Sequence, residues 1–166
     1  MTYTWHLLAK LCALPWVASL LIRAAMRTPY EHIYSKDGST LYMGRWWLFN
    51  PYDRVTHRPK WPWIPFSIRI HHIRVHDPDR HMHSHPWNAR TIILRGWYQE
   101  VREGSSRPIN RCKGDTAPLS YGEFHRITRV CPGGCWTLFI TWRKQGEWYF
   151  DVGGQRVHWR DYLGLD

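Results

Sequence analysis

The segment His81-Met82-His83-Ser84-His85-Pro86-Trp87 carries three histidines at alternate positions near the middle of the chain. In a β-strand, residues two apart point to the same face, so His83 and His85 can direct two imidazoles at one point. Two neutral imidazoles and one ligand from a neighbouring strand make a facial metal site. A His-x-His pair also occurs on plain polar strands, which leaves the alternative of no metal. Three such positions span too far for one small ion, so we expect His81 to line the pocket or support a ligand.

The sequence around this segment predicts short strands with turns between them and no interleaved helices. Gly- and Pro-containing turns separate the apolar segments at short intervals, which is typical of an antiparallel sandwich or barrel. In the first long strand after the helix-like region, Trp46 and Trp47 are adjacent. In the next strand the alternation slips at His71-His72, which predicts a bulge. The predicted strands are 41–49, 67–76, 81–85, 91–94, 97–102, 109–112, 125–130, 135–142 and 147–152.

The N-terminal region predicts an amphipathic helix. The run Leu11 to Ile22 has 12 residues without charge, between Lys10 and Arg23, and is too short to span a bilayer. We expect this helix to pack on the domain and Pro15 to kink or restart it. A signal peptide and a peripheral membrane helix are the alternatives.

Composition and charge indicate a single domain and an anionic partner. The chain has 166 residues, of which 43% are hydrophobic, with 12 Trp and 9 Tyr, a composition that suits strands and pocket walls. The net charge of +10 favours a nucleic acid, a nucleotide, a phosphorylated metabolite or a lipid surface, with a solvated basic surface as the alternative. The four cysteines form no disulfide pattern, so we expect free thiols in a reducing cytoplasm. We divide the chain into an N-terminal helical segment, 1–30, and a β domain, 31–166.

A second motif lies about 40 residues downstream, where Pro118 precedes Tyr121-Gly122-Glu123-Phe124-His125. With His83, His85 and Gly96 this chain resembles the cupin superfamily, whose first motif has His-x-His followed by a glycine and whose second has Pro, Gly and His. The resemblance covers residues 67 to 142. It implies a jelly-roll β-barrel, a divalent metal held by His83, His85 and His125, and a homodimer paired through sheet edges.

This sequence departs from the usual cupin pattern at the fourth ligand. Many cupins have a glutamate four or five residues after the second histidine, where this chain has Ala89 and Arg90. The remaining set is similar to that of thiol dioxygenases such as cysteine dioxygenase, which implies Fe(II), with Zn, Mn or Ni as alternatives. Three neutral ligands leave about three open positions for substrate and O₂.

Three further residues are candidates for catalytic roles. Glu100 can enter the site or orient a ligand, or it is a solvated strand residue. Tyr98 lies in the same predicted strand, as pocket wall or catalytic group. Arg126, next to His125, can bind a carboxylate or phosphate bidentately, as can Arg95, and a surface role is the alternative for each.

A closer likeness exists to uncharacterised small cupin-like proteins of phages and actinobacteria. It rests on short matches, which are 45–47, 77–80, 83–87, 93–96, Tyr98, Glu100, 125–126, 136–138 and 147–148. Asp77 and Asp79 within it are predicted turn residues or partners of an imidazole. The likeness implies the fold and the site, and it implies no reaction.

Three functions remain as hypotheses. The first is an Fe(II) oxygenase or dioxygenase that acts on a small polar or anionic substrate. The second is a non-redox isomerase, epimerase or lyase that uses Zn, Mn or Ni as a Lewis acid. The third is a binding module for nucleotide or nucleic acid without turnover.

Overall fold

The computed structural model describes residues 2–35, 38–76, 81–105 and 107–165. Helices stand at the two ends of the described chain and strands lie between them. The predicted turn residues Asp77 and Asp79 lie outside the described residues. The elements in chain order are α1 (Thr2–Cys12), α2 (Pro15–Ala25), β1 (Ile33–Tyr34), β2 (Leu41–Phe49), β3 (Phe66–Ile73), β4 (Met82–His83), β5 (Trp87–Arg95), β6 (Trp97–Arg102), β7 (Ile109–Cys112), β8 (Thr116–Leu119), β9 (His125–Val130), β10 (Cys135–Lys144), β11 (Tyr149–Val152), β12 (Gln155–His158) and α3 (Trp159–Leu163).

The strands in the described part of the chain form two six-stranded antiparallel sheets. The first sheet, which we call the helix-covered sheet, has the order β1-β2-β3-β10-β5-β8, and the second has the order β12-β11-β4-β9-β6-β7. Each neighbouring pair is antiparallel, as in a jelly roll. The all-β, antiparallel prediction is confirmed.

The helix-covered sheet is buried on both faces because the two N-terminal helices pack on its outer side. Helix α1 contacts β5 and β8, and α2 contacts β2 and β3. Small residues on the helices allow the helix backbones to lie close to the branched and aromatic residues of the strands. The buried members of this outer core are Ala9, Ala18, Ile22, Ala25, Ile70, Ile92, Leu94, Leu138 and Ile140.

The predicted N-terminal helix is divided into two at Pro15, as the sequence indicated. Pro15 occupies the first turn of α2, where its fixed φ suits the helix and its missing N–H leaves no bond unmade. The axes of α1 and α2 differ by 79°, and no described helix alone has the length and apolar content to cross a bilayer.

Strand β3 contains no bulge at His71-His72, so that prediction is wrong. Its register with β10 runs without a shift from Phe66 to Ile73. The slip in the apolar pattern has another cause, which is that both faces of β3 are buried. Ile70 packs under the helices, while Arg69 and His71 face the space between the sheets.

Most predicted strands agree with the structure, and the three that were missed, β1, β8 and β12, are short. Strand β8 contains Pro118, which lacks a backbone N–H, and it lies at the edge of its sheet, where that donor is dispensable. The motif glycine Gly96 has φ +75°, and a Cβ there would approach Cys131 Sγ to 2.6 Å. A residue with a side chain is therefore excluded from that turn.

Candidate metal centre

A cavity of about 250 Å³ lies between the two sheets. Its walls are mainly apolar and aromatic, with Phe139 and Trp87 from the helix-covered sheet and Phe150 from the second sheet. Polar side chains converge in it from both sheets, which is the usual form of a small-molecule site. The ionisable ones are Arg45, Arg69, His71, His83, His85, Tyr98, Glu100, Arg102 and His125.

The three predicted metal ligands come together in this cavity. His83 in β4 pairs directly with His125 in β9, so their side chains share one face of the second sheet. His85 lies two residues beyond the end of β4, in the connection to β5, and not on a strand as predicted. One nitrogen from each ring lies within 4.8 Å of the others, and His85 Nε2 and His125 Nε2 are 3.0 Å apart.

This spacing fits a divalent metal ion. Two imidazole nitrogens, each about 2.1 Å from a metal and at right angles, are separated by about 3.0 Å. The His85–His125 distance of 3.0 Å has that value. In the described part of the chain, His83, His85 and His125 are the group of three ligating residues that meets such a spacing, and no carboxylate joins them as a fourth.

The environment of His85 favours the neutral imidazole that a metal requires. Burial is the largest influence and lowers its pKa well below 6.5, and positive charge on His83 or His125 would lower it further. The ring is therefore uncharged at neutral pH. A neutral imidazole presents a free electron pair to a cation without first losing a proton.

Glu100 lies behind His125 and belongs to an ionic cluster. Its side chain is 1% exposed, with Oε1 at 3.0 Å from Arg102 Nε and 2.7 Å from Arg111 Nε. Its Oε2 is 3.4 Å from His125 Nδ1, an electrostatic contact longer than an ordinary hydrogen bond. Burial alone would raise the pKa of Glu100, but His125 and the arginines outweigh burial and lower it to about 2. The carboxylate is thus charged and placed to orient His125.

The other predicted site residues lie in different places. Tyr98 lines the cavity and is 4% exposed, and burial raises the pKa of its phenol far above the usual range, so the phenol stays protonated. Arg126 and Arg95 do not line the cavity, and Arg95 donates to Ser19 Oγ of α2. His81 is exposed, with Nδ1 3.0 Å from the Tyr162 hydroxyl.

Sequence reasoning missed Arg69 and His71, which project from β3 into the cavity. His71 is 8% exposed and packs on the Phe139 ring at 4.9 Å, and Phe139 also contacts His85 at 6.0 Å. Burial, followed by the charges of Arg45 and Arg69, lowers the pKa of His71 well below 6.5. The available signal was the alternation of Arg69 and His71 with Ile68 and Ile70 along β3.

Comparison with known proteins identifies the fold. No protein-family model matches this sequence, and no curated protein matches it. A chain of oxalate decarboxylase from Bacillus subtilis, a protein with Mn(II) centres, matches with TM-score 0.53 and 11% identity over 86% of this chain and 33% of that one. A chain from the crystal structures of the DMSP lyases RdDddP and RnDddQII matches with TM-score 0.50 and 12% identity over 68% of this chain and 55% of that one.

A sugar phosphate isomerase of the cupin superfamily from Silicibacter pomeroyi matches more weakly, with TM-score 0.42 and 15% identity over 52% of this chain and 57% of that one. This chain thus spans a third of the oxalate decarboxylase and about half of the lyase. The cupin-type fold is confirmed. The predicted closeness to small phage and actinobacterial proteins finds no support in these comparisons.

Proposed function

We propose that this cupin-fold chain is a metal-dependent enzyme, an Fe(II) oxygenase that acts on a small anionic molecule in the cavity between its sheets. The observation that carries the proposal is the group of three histidine nitrogens within 4.8 Å, without a carboxylate beside them among the described residues. Three neutral imidazoles leave the charge of a bound ion uncompensated, and they leave about three coordination positions open for other ligands.

Each lining residue has a distinct part in the proposal. His83, His85 and His125 hold the metal, and Glu100 positions His125 from behind. The metal, when bound, supplies Lewis acidity, and iron also supplies electrons for O₂. Tyr98 keeps its proton and can donate a hydrogen bond to a substrate oxygen. The aromatic walls exclude water and so strengthen these electrostatic contacts.

A second candidate is the non-redox reaction, with Mn, Zn or Ni as the ion. It is favoured by the protonated Tyr98 phenol, which lines the same cavity as the histidines and could stabilise a developing oxyanion in a lyase or isomerase reaction. Nucleotide or nucleic-acid binding rests on the net charge of +10 alone. The nature of the metal and the need for O₂ separate the first two functions.

The test begins with the metal content of the full chain. We expect close to one ion per chain in the wild type after reconstitution, and almost none in the His83→Ala and His125→Ala variants. The matched control is His81→Ala, from the same segment but outside the cavity, which should retain the metal. Glu100→Gln should keep the metal with roughly tenfold weaker affinity, because His125 loses its orienting charge.

The second part of the test compares reactions with and without O₂. Iron-loaded protein should consume O₂ in the presence of small carboxylates, and the His125→Ala variant should not. Anaerobic turnover by the manganese or zinc form, without O₂ uptake by the iron form, would support the second candidate instead. Unchanged metal content in His125→Ala would disprove the three-histidine site.

A further inference from the structure

Arg69 is a buried arginine in the wall of the cavity. It projects from the inner face of β3, is 3% exposed and lines the same space as the three histidines. Four aromatic rings surround its guanidinium, whose Cζ lies 4.4 Å from Trp47, 4.9 Å from Trp87, 5.4 Å from Tyr30 and 5.6 Å from Tyr52. These rings hold a cation in place without neutralising its charge.

The guanidinium of Arg69 has no counter-charge within the described residues. Its Nε is buried without a hydrogen-bond partner, and no described carboxylate forms an ion pair with it. Two neighbouring polar atoms in the same wall, His71 Nε2 and Trp87 Nε1, are also buried without partners. Buried polar groups in native proteins nearly always have partners, and exceptions point to a binding function.

The two other arginines of the cavity are already engaged. Arg45 donates from Nε to the carbonyl of Glu31 and lies 4.5 Å from the Tyr30 ring. Arg102 contacts Glu100 at 3.0 Å and Glu123 at 2.8 Å. Among the lining arginines, Arg69 is therefore the one that has neither a hydrogen bond nor an ion pair with the described residues.

Arg69 keeps its charge despite its burial. Burial, the largest influence, lowers its pKa to about 10, and the neighbouring charge of Arg45 also lowers it. At neutral pH the side chain is consequently a cation in an apolar wall, an arrangement that destabilises the protein unless an anion compensates it. In the folded chain only the four aromatic rings surround this buried cation among the described residues, which indicates a binding site for an anion.

The position of Arg69 relative to the histidines limits the size of that anion. Trp87 is close to both Arg69 and His85. Its ring lies 4.9 Å from Arg69 Cζ and 6.2 Å from the centre of the His85 ring. The cavity volume of about 250 Å³ accommodates a molecule of a few carbon atoms. One small ligand can therefore reach Arg69 and the histidine group together.

We propose that Arg69 is the anion-binding residue of this cavity, and that its ligand is a small carboxylate with a second polar group that reaches the three histidines. The inference deepens the proposed function and rests on it, since the histidines bind the metal there. The planar guanidinium offers parallel N–H donors that match the two oxygens of a carboxylate. Lysine would supply the charge without that match.

The test measures binding of succinate to the full chain by calorimetry, both metal-loaded and after chelation. Succinate has two carboxylates, of which one can pair with Arg69, and succinamide is its uncharged analogue of equal size. We expect succinate to bind to both forms of the wild type, more tightly to the metal-loaded form. Succinamide should bind at least about tenfold more weakly, because it lacks the charge.

The variants are Arg69→Gln and Arg69→Lys, and circular dichroism and thermal unfolding establish that each is folded. We expect the dissociation constant for succinate to rise at least about tenfold in Arg69→Gln and less in Arg69→Lys. The matched control is Arg90→Gln, because Arg90 lies in β5 of the same sheet and its guanidinium Cζ is 4.6 Å from the Trp5 ring, and it does not line the cavity. Its affinity for succinate should not change.

The outcomes separate this inference from the proposed function. Wild-type affinity in folded Arg69 variants, or equal binding of succinate and succinamide, would overturn the role of Arg69. Binding of inorganic phosphate but not of succinate would overturn the carboxylate class. Loss of succinate binding in Arg69→Gln with unchanged metal content supports the subsite, whereas a wild type that binds succinate but no metal contradicts the proposed function and leaves Arg69 as an anion site.

Discussion

Two buried charges in this cavity have opposite environments. Glu100 is 1% exposed and has two arginines within 3.0 Å, so its charge is compensated inside the protein. Arg69 is 3% exposed and has aromatic rings around it but no described carboxylate. The first arrangement leaves no unpaired charge and places Glu100 Oε2 3.4 Å from His125 Nδ1. The second is costly for the folded state unless an anion enters, which is typical of binding sites.

His71 gives a prediction for the pH dependence of stability. Burial holds the pKa of His71 in the folded chain well below the usual value of 6.5, so below about pH 6.5 the unfolded chain takes up a proton that the folded chain does not. The free energy of unfolding therefore falls as the pH drops below 6.5. In His71→Phe, which keeps a ring beside Phe139, this fall should be shallower by up to about 1.4 kcal/mol per pH unit.

The measurement is urea unfolding of metal-free protein between pH 7.5 and about 5. The control is His57→Asn, which changes an exposed histidine and should leave the wild-type slope unaltered. Identical slopes for His71→Phe and the wild type would mean that His71 takes up its proton in the folded state as readily as in the unfolded chain.

At the level of elements, the N-terminal helices complete the core of the helix-covered sheet. Ala9, Ala18 and Ala25 are fully buried against it, while Leu20 and Trp16 on the other side of α2 are 55% and 69% exposed. Ala18, Ile22 and Ala25 therefore mark the side of α2 that packs on β2 and β3. Trp16 and Leu20 mark the side that faces away from the sheet.

We expect Ala18→Leu to destabilise the protein by about 1–3 kcal/mol, because the added methylenes have no space between α2 and the sheet. Leu20→Ala, two residues away on the exposed side, should change the free energy of unfolding by less than about 0.5 kcal/mol. Thermal and urea unfolding measure both. A larger loss in Leu20→Ala than in Ala18→Leu would contradict the packing of α2 described above.

Over the whole molecule, the proposed metal joins segments that are far apart in sequence. His83 and His125 come from neighbouring strands 42 positions apart, and His85 comes from the connection between the two sheets. An ion bound at these three points stabilises only the folded chain, since the unfolded chain does not hold them together.

Chelation should therefore lower the melting temperature of the wild type. At a free metal concentration of about 100 times the dissociation constant, the ion contributes about 2.7 kcal/mol, which corresponds to a shift of roughly 5–10 °C for a chain of this size. Calorimetric scans with and without EDTA measure the shift. The His125→Ala variant should show almost none, and an equal shift in both proteins would place the metal elsewhere.

Much of the fold followed from local pattern. Strands β2, β6, β7 and β9 were predicted with their observed bounds, because alternation of side chains and glycine turns are properties of short segments. Strand β8 was missed because Pro118 is unusual in strands, and only the sheet order shows that it stands at an edge. The division of the helix at Pro15 was likewise a local property.

For the site, the sequence by itself selected the three candidate histidines, since an alternating His-x-His pair and a third histidine after Gly122 suffice to suggest a metal site. Only the tertiary structure decided that Glu100 stands behind His125, that Arg126 does not line the cavity, and that Arg69 and His71 do. The physical reason is that a strand's alternation assigns residues to two faces without saying what covers each face. Here α2 covers the outer face of β3, and Arg69 and His71 lie on the inner face, in the same cavity as the candidate metal centre.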